Sequence, residues 1–229
     1  MARQYSNFAT PEVISLLDTL ADEHTDVPAY KDALYLIGTS LGQSLLTSIQ
    51  NRDRIMLVST VEDTDHLGKG ILDRLESAGK TVFLTVFWNK RASFGKDFSV
   101  APIIKEFHEK GDRHNATLII LKSIISSSCV IRTNLTRVFE ETTPSATFIV
   151  APVLMKGSRQ SLEAEFDRSI SSRFNYVYFA EDDERTIDGI VIPGVGGDIY
   201  KRLGFGDQDG KNKFTPALVK KRRLSQQIV

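Results

Sequence analysis

Five short apolar runs, at residues 55–59, 81–88, 118–121, 147–153 and 176–180, alternate along this sequence with segments of helical periodicity. The runs are rich in Ile, Val, Leu and Phe with few polar breaks, the pattern of strands covered on both faces. A helix between two strands returns the chain to the same end of the sheet, which makes the strands parallel. The fold class expected is therefore α/β, a mainly parallel sheet flanked by helices. Ligands of such sheets lie beyond the carboxyl ends of the strands. The chemistry is thus sought in the loops that follow the apolar runs.

The helical segments read as follows. Thr10-Pro11-Glu12 opens a first helix with Val13, Leu16, Leu17 and Leu20 on one face. Leu34, Ile37, Leu41, Leu45 and Ile49 recur at helical spacing, which places Gly38 and Gly42 inside a helix as sites of close packing rather than in a phosphate loop. Further helices are expected over 67–78, 102–110 (stopped by Gly111), 130–141 and 161–170. Asp63 or Asp65 is expected to cap the helix over 67–78. Residues 207–213 read as a polar linker. The 29 basic and 29 acidic residues cancel, so no global field favours nucleic acid or a membrane. No apolar run approaches the roughly 20 residues of a membrane span. Residues 1–8 have no signal-peptide core, and the single cysteine rules out an intrachain disulfide; both fit a cytoplasmic protein.

The densest chemical signal is I-D-G-I-V-I-P-G-V-G-G-D-I-Y-K-R-L-G-F-G-D over 187–207. An apolar run meets Pro193 and then three glycines in four residues, followed by Asp198 and Arg202. Glycines at this density let main-chain groups approach a planar ligand, because no Cβ intervenes. The same run equally serves as a turn that closes the last strand.

This segment resembles the uracil-binding segment of uracil phosphoribosyltransferases, in which a strand leads to Ile/Val-Pro-Gly, then Gly-Asp and an Arg. The resemblance extends upstream through Ala180-Glu181-Asp182-Asp183-Glu184-Arg185, through 116–131 as the ribose-phosphate loop, and through 54–75 as the pyrophosphate-loop strand and helix. It covers most of 30–207 and implies a type I phosphoribosyltransferase fold, a homodimer and a nucleobase or nucleotide ligand. By that resemblance Ile192, Gly194, Gly196, Gly197 and Asp198 would bind the nucleobase, and Ser126, Ser127 and Ser128 the phosphate. Glu62, Asp63 and Asp65 occupy the pyrophosphate-loop position. The implied organisation is a helical extension over 1–29, the phosphoribosyltransferase-like domain over 30–207, and a basic tail over 208–229.

The departures from the family pattern are equally specific. Leu121-Lys122 stands where the family has Asp-Pro, and a leucine cannot accept hydrogen bonds from ribose hydroxyls. Ser126-Ser127-Ser128 replaces Thr-Gly-Gly, whose glycines let amides wrap a phosphate. Three acids replace the pyrophosphate-loop arginine and would repel a pyrophosphate unless a divalent metal intervened. The loop Trp88-Asn89-Lys90-Arg91-Ala92-Ser93-Phe94-Gly95-Lys96 keeps positive charge without the family's order. The chemistry loops therefore read as degenerate.

Single residues add little. Cys129 reads as a small buried side chain, and His24, His66, His108 and His114 have no metal-site spacing, so no metal is assigned. No cofactor is assigned either; Mg²⁺ is the ion that a bound nucleotide would bring. Trp88 either stacks on a base or packs in the core. Lys220, Lys221, Arg222 and Arg223 suit a nucleic-acid or acidic protein partner, or a solvated tail. Leu218, Val219, Leu224, Ile228 and Val229 could dock that tail on another subunit. Three functions stay open: a catalytically degenerate nucleotide-binding regulatory or scaffold subunit, an active transferase or N-glycosidic-bond enzyme with altered substrate, and a subunit of a nucleoprotein (defence) assembly.

Overall fold

The structure is a computed structural model that describes residues 3–94 and 98–226, apart from the side chains of 93, 94, 98 and 99. Gly95 and Lys96 of the positively charged loop, and Ile228 and Val229 of the tail, lie outside the described residues.

The elements in chain order are β1 (Gln4–Tyr5), α1 (Pro11–Ala21), α2 (Val27–Ser48), β2 (Arg54–Thr60), α3 (Val61–Asp63), a π-helical turn (Thr64–Gly68) and α4 (Lys69–Ser77). Then come β3 (Thr81–Asn89), β4 (Ala92–Phe94), β5 (Phe98–Val100), β6 (Ile103–His108), β7 (Thr117–Leu121), β8 (Ile124–Ile125), α5 (Cys129–Glu141) and β9 (Ala146–Met155). The remainder is α6 (Ser158–Glu163), α7 (Arg168–Ser171), β10 (Phe174–Asp182), β11 (Glu184–Arg185), β12 (Val191–Ile192), α8 (Ile199–Arg202), α9 (Gln208–Lys213) and α10 (Ala217–Ser225).

The main sheet has the order β1-β10-β9-β7-β2-β3-β6, with β8 also pairing β9. Its five central strands are parallel, and β1 and β6 are antiparallel edges. The expected α/β architecture is thus the observed one. One face is covered by α1, α2 and α4, through Leu17, Leu34, Ile37, Leu41, Ile71 and Leu75. The other is covered by α5 and α6, through Ile131, Leu135, Val138 and Leu162. The helix pair α2/α4 crosses closely because Gly38 and Gly70 lack side chains. A Cβ on Gly38 would stand 2.2 Å from the Leu67 carbonyl oxygen. A Cβ on Gly70 would stand 2.2 Å from that of Tyr35.

Three local expectations are corrected. Residues 103–108 form strand β6, not a helix, because pairing with β3 satisfies their backbone and buries Phe107. Gly111 is required there for proximity: a Cβ would meet the Phe83 ring at 2.1 Å. The helix expected over 161–170 is two short ones, since Asp167 caps a new start at Arg168 by accepting from the Ser169 amide. The polar linker is helix α9, capped by Asp207 through the Gly210 amide. The strand of the glycine segment is β12, which pairs β11 in a separate two-stranded sheet.

Candidate functional site

β2 passes into α3 without a loop. Thr60 is still extended (φ −86°, ψ 160°) and Val61 is already helical. Glu62 and Asp63 therefore lie on the first turn, folded down onto the sheet, at 4% and 1% exposure. Thr60 donates its hydroxyl to Asp63 Oδ2 at 2.7 Å. From the neighbouring β7, Lys122 reaches across with Nζ 2.7 Å from Asp63 Oδ2 and 3.2 Å from Glu62 Oε1. A second ammonium arrives from α9. Lys211 Nζ donates to the Asn89 carbonyl at the end of β3 (2.7 Å) and stands 3.7 Å from Glu62 Oε2. Tyr200 of α8 lies beneath it, 5.0 Å from Nζ to ring centre.

The result is a buried cluster of two carboxylates and two ammonium groups at the carboxyl ends of β2 and β7. Burial alone would raise the Glu62 pKa, but Lys122 and Lys211 outweigh it and hold the carboxyl below its ordinary range. Burial would depress Lys122, yet Asp63 and Glu62 together raise it. Lys211 has one carboxylate at longer range, so burial prevails and its pKa is lowered. Glu62 Oε2 and Asp63 Oδ1 are buried and receive no hydrogen bond from the described residues.

Asp65 points elsewhere. It accepts from the amides of Ala217 (2.8 Å) and Leu218 (2.9 Å), capping α10. The expectation that Asp63 or Asp65 caps the following helix is therefore corrected. The helix begins directly after Thr60, which leaves both acids inside it.

Ser126, Ser127 and Ser128 form the half-buried bend between β8 and α5. Ser128 donates its hydroxyl to Glu165 (3.1 Å), which also pairs Arg132 (3.0 Å). Cys129 is buried at the start of α5.

The glycine segment follows β10, and several of its main-chain groups are taken by the protein itself. The Gly194 amide donates to Asp182 (2.8 Å), and the Gly194 carbonyl accepts from Arg3 (2.6 Å). Arg3 and Asp182 form a two-pronged pair at 2.8 Å. The Val195 carbonyl accepts the Tyr30 hydroxyl at 2.7 Å. A Cβ on Gly196 would stand 1.9 Å from the Leu20 carbonyl oxygen, which makes a glycine obligatory there. Gly197 faces open space. Asp198 caps α8 through the Tyr200 amide, and Ile192 is half-buried. Arg202 donates to the carbonyls of Asp22 and Glu23 after α1 and stacks 4.5 Å from Tyr30.

Glu62 and Asp63 thus meet at one place with the residue that follows β7, and Asp65 does not join them. Lys211 carries no signal of its own in the sequence, and Lys122 stands out there only as a replacement. Its signal was reciprocal: acids gained on one loop, a lysine gained on the next. Trp88 is buried and donates its indole N–H to the Phe214 carbonyl (2.8 Å), a core role. Of the four consecutive cations, Arg222 pairs Glu76 and Glu109, while Lys220, Lys221 and Arg223 are exposed. A cleft of about 440 Å³ lined by Met56, His108, Arg113, His114, Glu141 and Thr142 opens at the opposite end of the sheet. His108 is half-buried there. Among the described residues, no three His, Cys, Asp or Glu side chains converge to hold a metal ion. No helix among them is long and apolar enough to cross a membrane.

No protein-family model and no curated protein matches the sequence. Solved structures do. The AQ2163 protein from Aquifex aeolicus superposes with a TM-score of 0.69 at 15% identity, over 86% of this chain and 95% of that one. A hypoxanthine phosphoribosyltransferase from Staphylococcus aureus gives 0.46 at 13% identity, over 68% and 76%. Another from Trypanosoma cruzi, complexed with IMP, gives 0.43 at 9% identity, over 57% and 68%. The fold is that of the Aquifex protein, and type I phosphoribosyltransferases are among the structural neighbours.

Proposed function

We propose that this chain is a phosphoribosyltransferase-like protein without transfer chemistry, serving as a regulatory or scaffold subunit. One observation carries the reading: the buried, charge-balanced cluster of Glu62, Asp63, Lys122 and Lys211. It lies where the family resemblance puts pyrophosphate and ribose. A phosphorylated sugar entering there would have to separate two ammonium groups from their carboxylates and leave the acids facing a polyanion. A magnesium ion does not fit either, because both carboxylates already face ammonium groups.

A nucleotide ligand, in this proposal, approaches over the half-buried Ser126–Ser128 bend and the open side of Gly197. Homodimerisation is part of the same proposal, from the family resemblance. The test is calorimetric titration of the purified protein with phosphoribosyl pyrophosphate plus Mg²⁺, then with uracil and uridine nucleotides. The expected result is no saturable heat and no turnover with the pyrophosphate sugar. Saturable binding of a nucleotide alone supports the regulatory form. Turnover of the pyrophosphate sugar with any nucleobase overturns the proposal.

A further inference from the structure

Helix α10 is fixed to the body of the protein at several points. Asp65 caps it, Leu218 and Val219 are buried, and Arg222 turns inward to Glu76 and Glu109. These contacts dictate where its other cations face. Lys220 and Lys221 lie on the exposed stripe with Ala217 and Leu224, at i, i+3, i+4 and i+7 spacing. Arg223 is exposed at the flank, its guanidinium 5.4 Å from the ring centre of Phe107 on β6.

α10 also runs alongside β6 in the same direction. Lys105 Nζ lies 3.4 Å from the Thr215 hydroxyl, Arg223 covers Phe107, and Gln226 donates to the Lys110 carbonyl. The contacts follow one another along both elements, from Thr215 ahead of α10 to Gln226 at its end, and from Lys105 in β6 to Lys110 just beyond it. The two elements together expose Lys105, Lys220, Lys221 and Arg223, with Lys220 and Lys221 on the outer side of α10 and Arg223 on its β6 flank, as a basic ridge that curves around the helix.

The ridge is positive because its nearest acids are otherwise engaged. Glu76 and Glu109 share the single Arg222 guanidinium, Asp65 accepts from the α10 amides of Ala217 and Leu218, and Glu106 points to the opposite face, where Arg137 holds it at 2.9 Å. No ion pair joins Lys105, Lys220, Lys221 or Arg223 to an acid among the described residues. A chain with no net charge has thus gathered cations without ion-pair partners on one surface, two of them over rings: Lys105 lies 4.5 Å from the ring centre of Trp88 and Arg223 5.4 Å from that of Phe107. Protein–protein interfaces are built around apolar anchors and are poor in lysine. Leu224 is the one large apolar side chain exposed on this helix. Exposed cations without an apolar centre match the phosphates of a flexible strand better.

We infer that this ridge binds the phosphate backbone of a nucleic acid, with Lys105, Lys220, Lys221 and Arg223 as the contacting cations. The inference is independent of the buried cluster. The experiment is fluorescence anisotropy of labelled single-stranded RNA and DNA of random sequence, titrated with the full chain at several salt concentrations. Four phosphate contacts give a log–log salt slope of about −3, which weakens binding about 50-fold between roughly 50 and 200 mM salt. The variant K105Q/K220Q/K221Q, confirmed as folded by circular dichroism, brings the slope to about −1. The charge-matched variant K156Q/R168Q/R173Q, altered at exposed cations elsewhere, leaves binding and slope unchanged. Absence of binding at the lowest salt overturns the inference. So does a ridge variant that binds as the wild type does, or a control variant that loses as much. Displacement of the nucleic acid by poly-glutamate at equal charge concentration would also overturn it, in favour of an acidic protein partner.

Discussion

Lys122 and Lys211 share one cluster but do not share its energetics. Lys122 lies within 2.7 Å and 3.2 Å of two buried carboxylates, so its removal leaves Asp63 with no cation beside it and Glu62 with only the more distant Lys211. Lys122→Met is expected to lower stability by about 3–5 kcal/mol, the usual penalty for leaving buried charge unpaired. Lys211 mainly serves the Asn89 carbonyl, and its own burial already disfavours the charged form. Lys211→Met should therefore lose only about 1–3 kcal/mol, the penalty of one buried acceptor left without a donor. Urea unfolding of the two variants under one set of conditions checks the order, and equal losses would refute it. Glu62 adds a pH dependence of known sign. Its folded pKa is depressed, so its stabilising contribution is present above the unfolded value of about 4.3 and disappears as pH falls through the lower folded value. Unfolding midpoints followed from neutral pH into acid should show this loss in the wild type, and a shallower one in Glu62→Gln.

At the level of elements, α10 depends on an acid in a different helix. Asp65→Ala should cost about 0.5–2 kcal/mol, as for other lost caps, and the loss should concentrate in one place. Amide hydrogen exchange is expected to accelerate over 215–225 while β2, β7 and β9 stay protected; uniform acceleration would contradict a local cap. This dependence also marks the limit of reading elements from sequence. The parallel strands were legible because apolar runs such as Leu118-Ile119-Ile120-Leu121 have no other soluble use. α2 was legible because five apolar residues keep helical spacing around Gly38 and Gly42. β6 was misread because Ile103, Ile104 and Phe107 also fit a helical face, and only the neighbouring β3 decides between the two. Asp65 stood next to an expected helix start, and nothing local revealed that its partner amides lie 152 residues away. The cluster was half legible: the acids and the lysine were each noticed as departures, but their pairing required the sheet that brings β2 beside β7.

Across the whole molecule, distant segments hold one another. Arg3 joins β10 and the glycine segment, Tyr30 holds Val195, and Arg202 clasps the turn after α1. Residues 3–22 are thereby expected to unfold together with the rest. Arg3→Met leaves Asp182 buried at 1% exposure with the Gly194 amide as its donor, and should lower stability by about 3–5 kcal/mol. Trp88 lies at the far end of the sheet order, so its fluorescence reports whether the loss is global. A shift of the single Trp88 transition is expected, and an unshifted one would show that the segment detaches alone. The separation between Asp65 and Ala217 bears on how the protein is made. At roughly 5–20 residues per second, a ribosome needs about 8–30 s to deliver α10 after Asp65 has been synthesised. Over that interval the nascent chain holds an acid without its partner amides and, until residue 182 has been added, a sheet still lacking β10, so completion of this fold is timed by translation as well as by collapse.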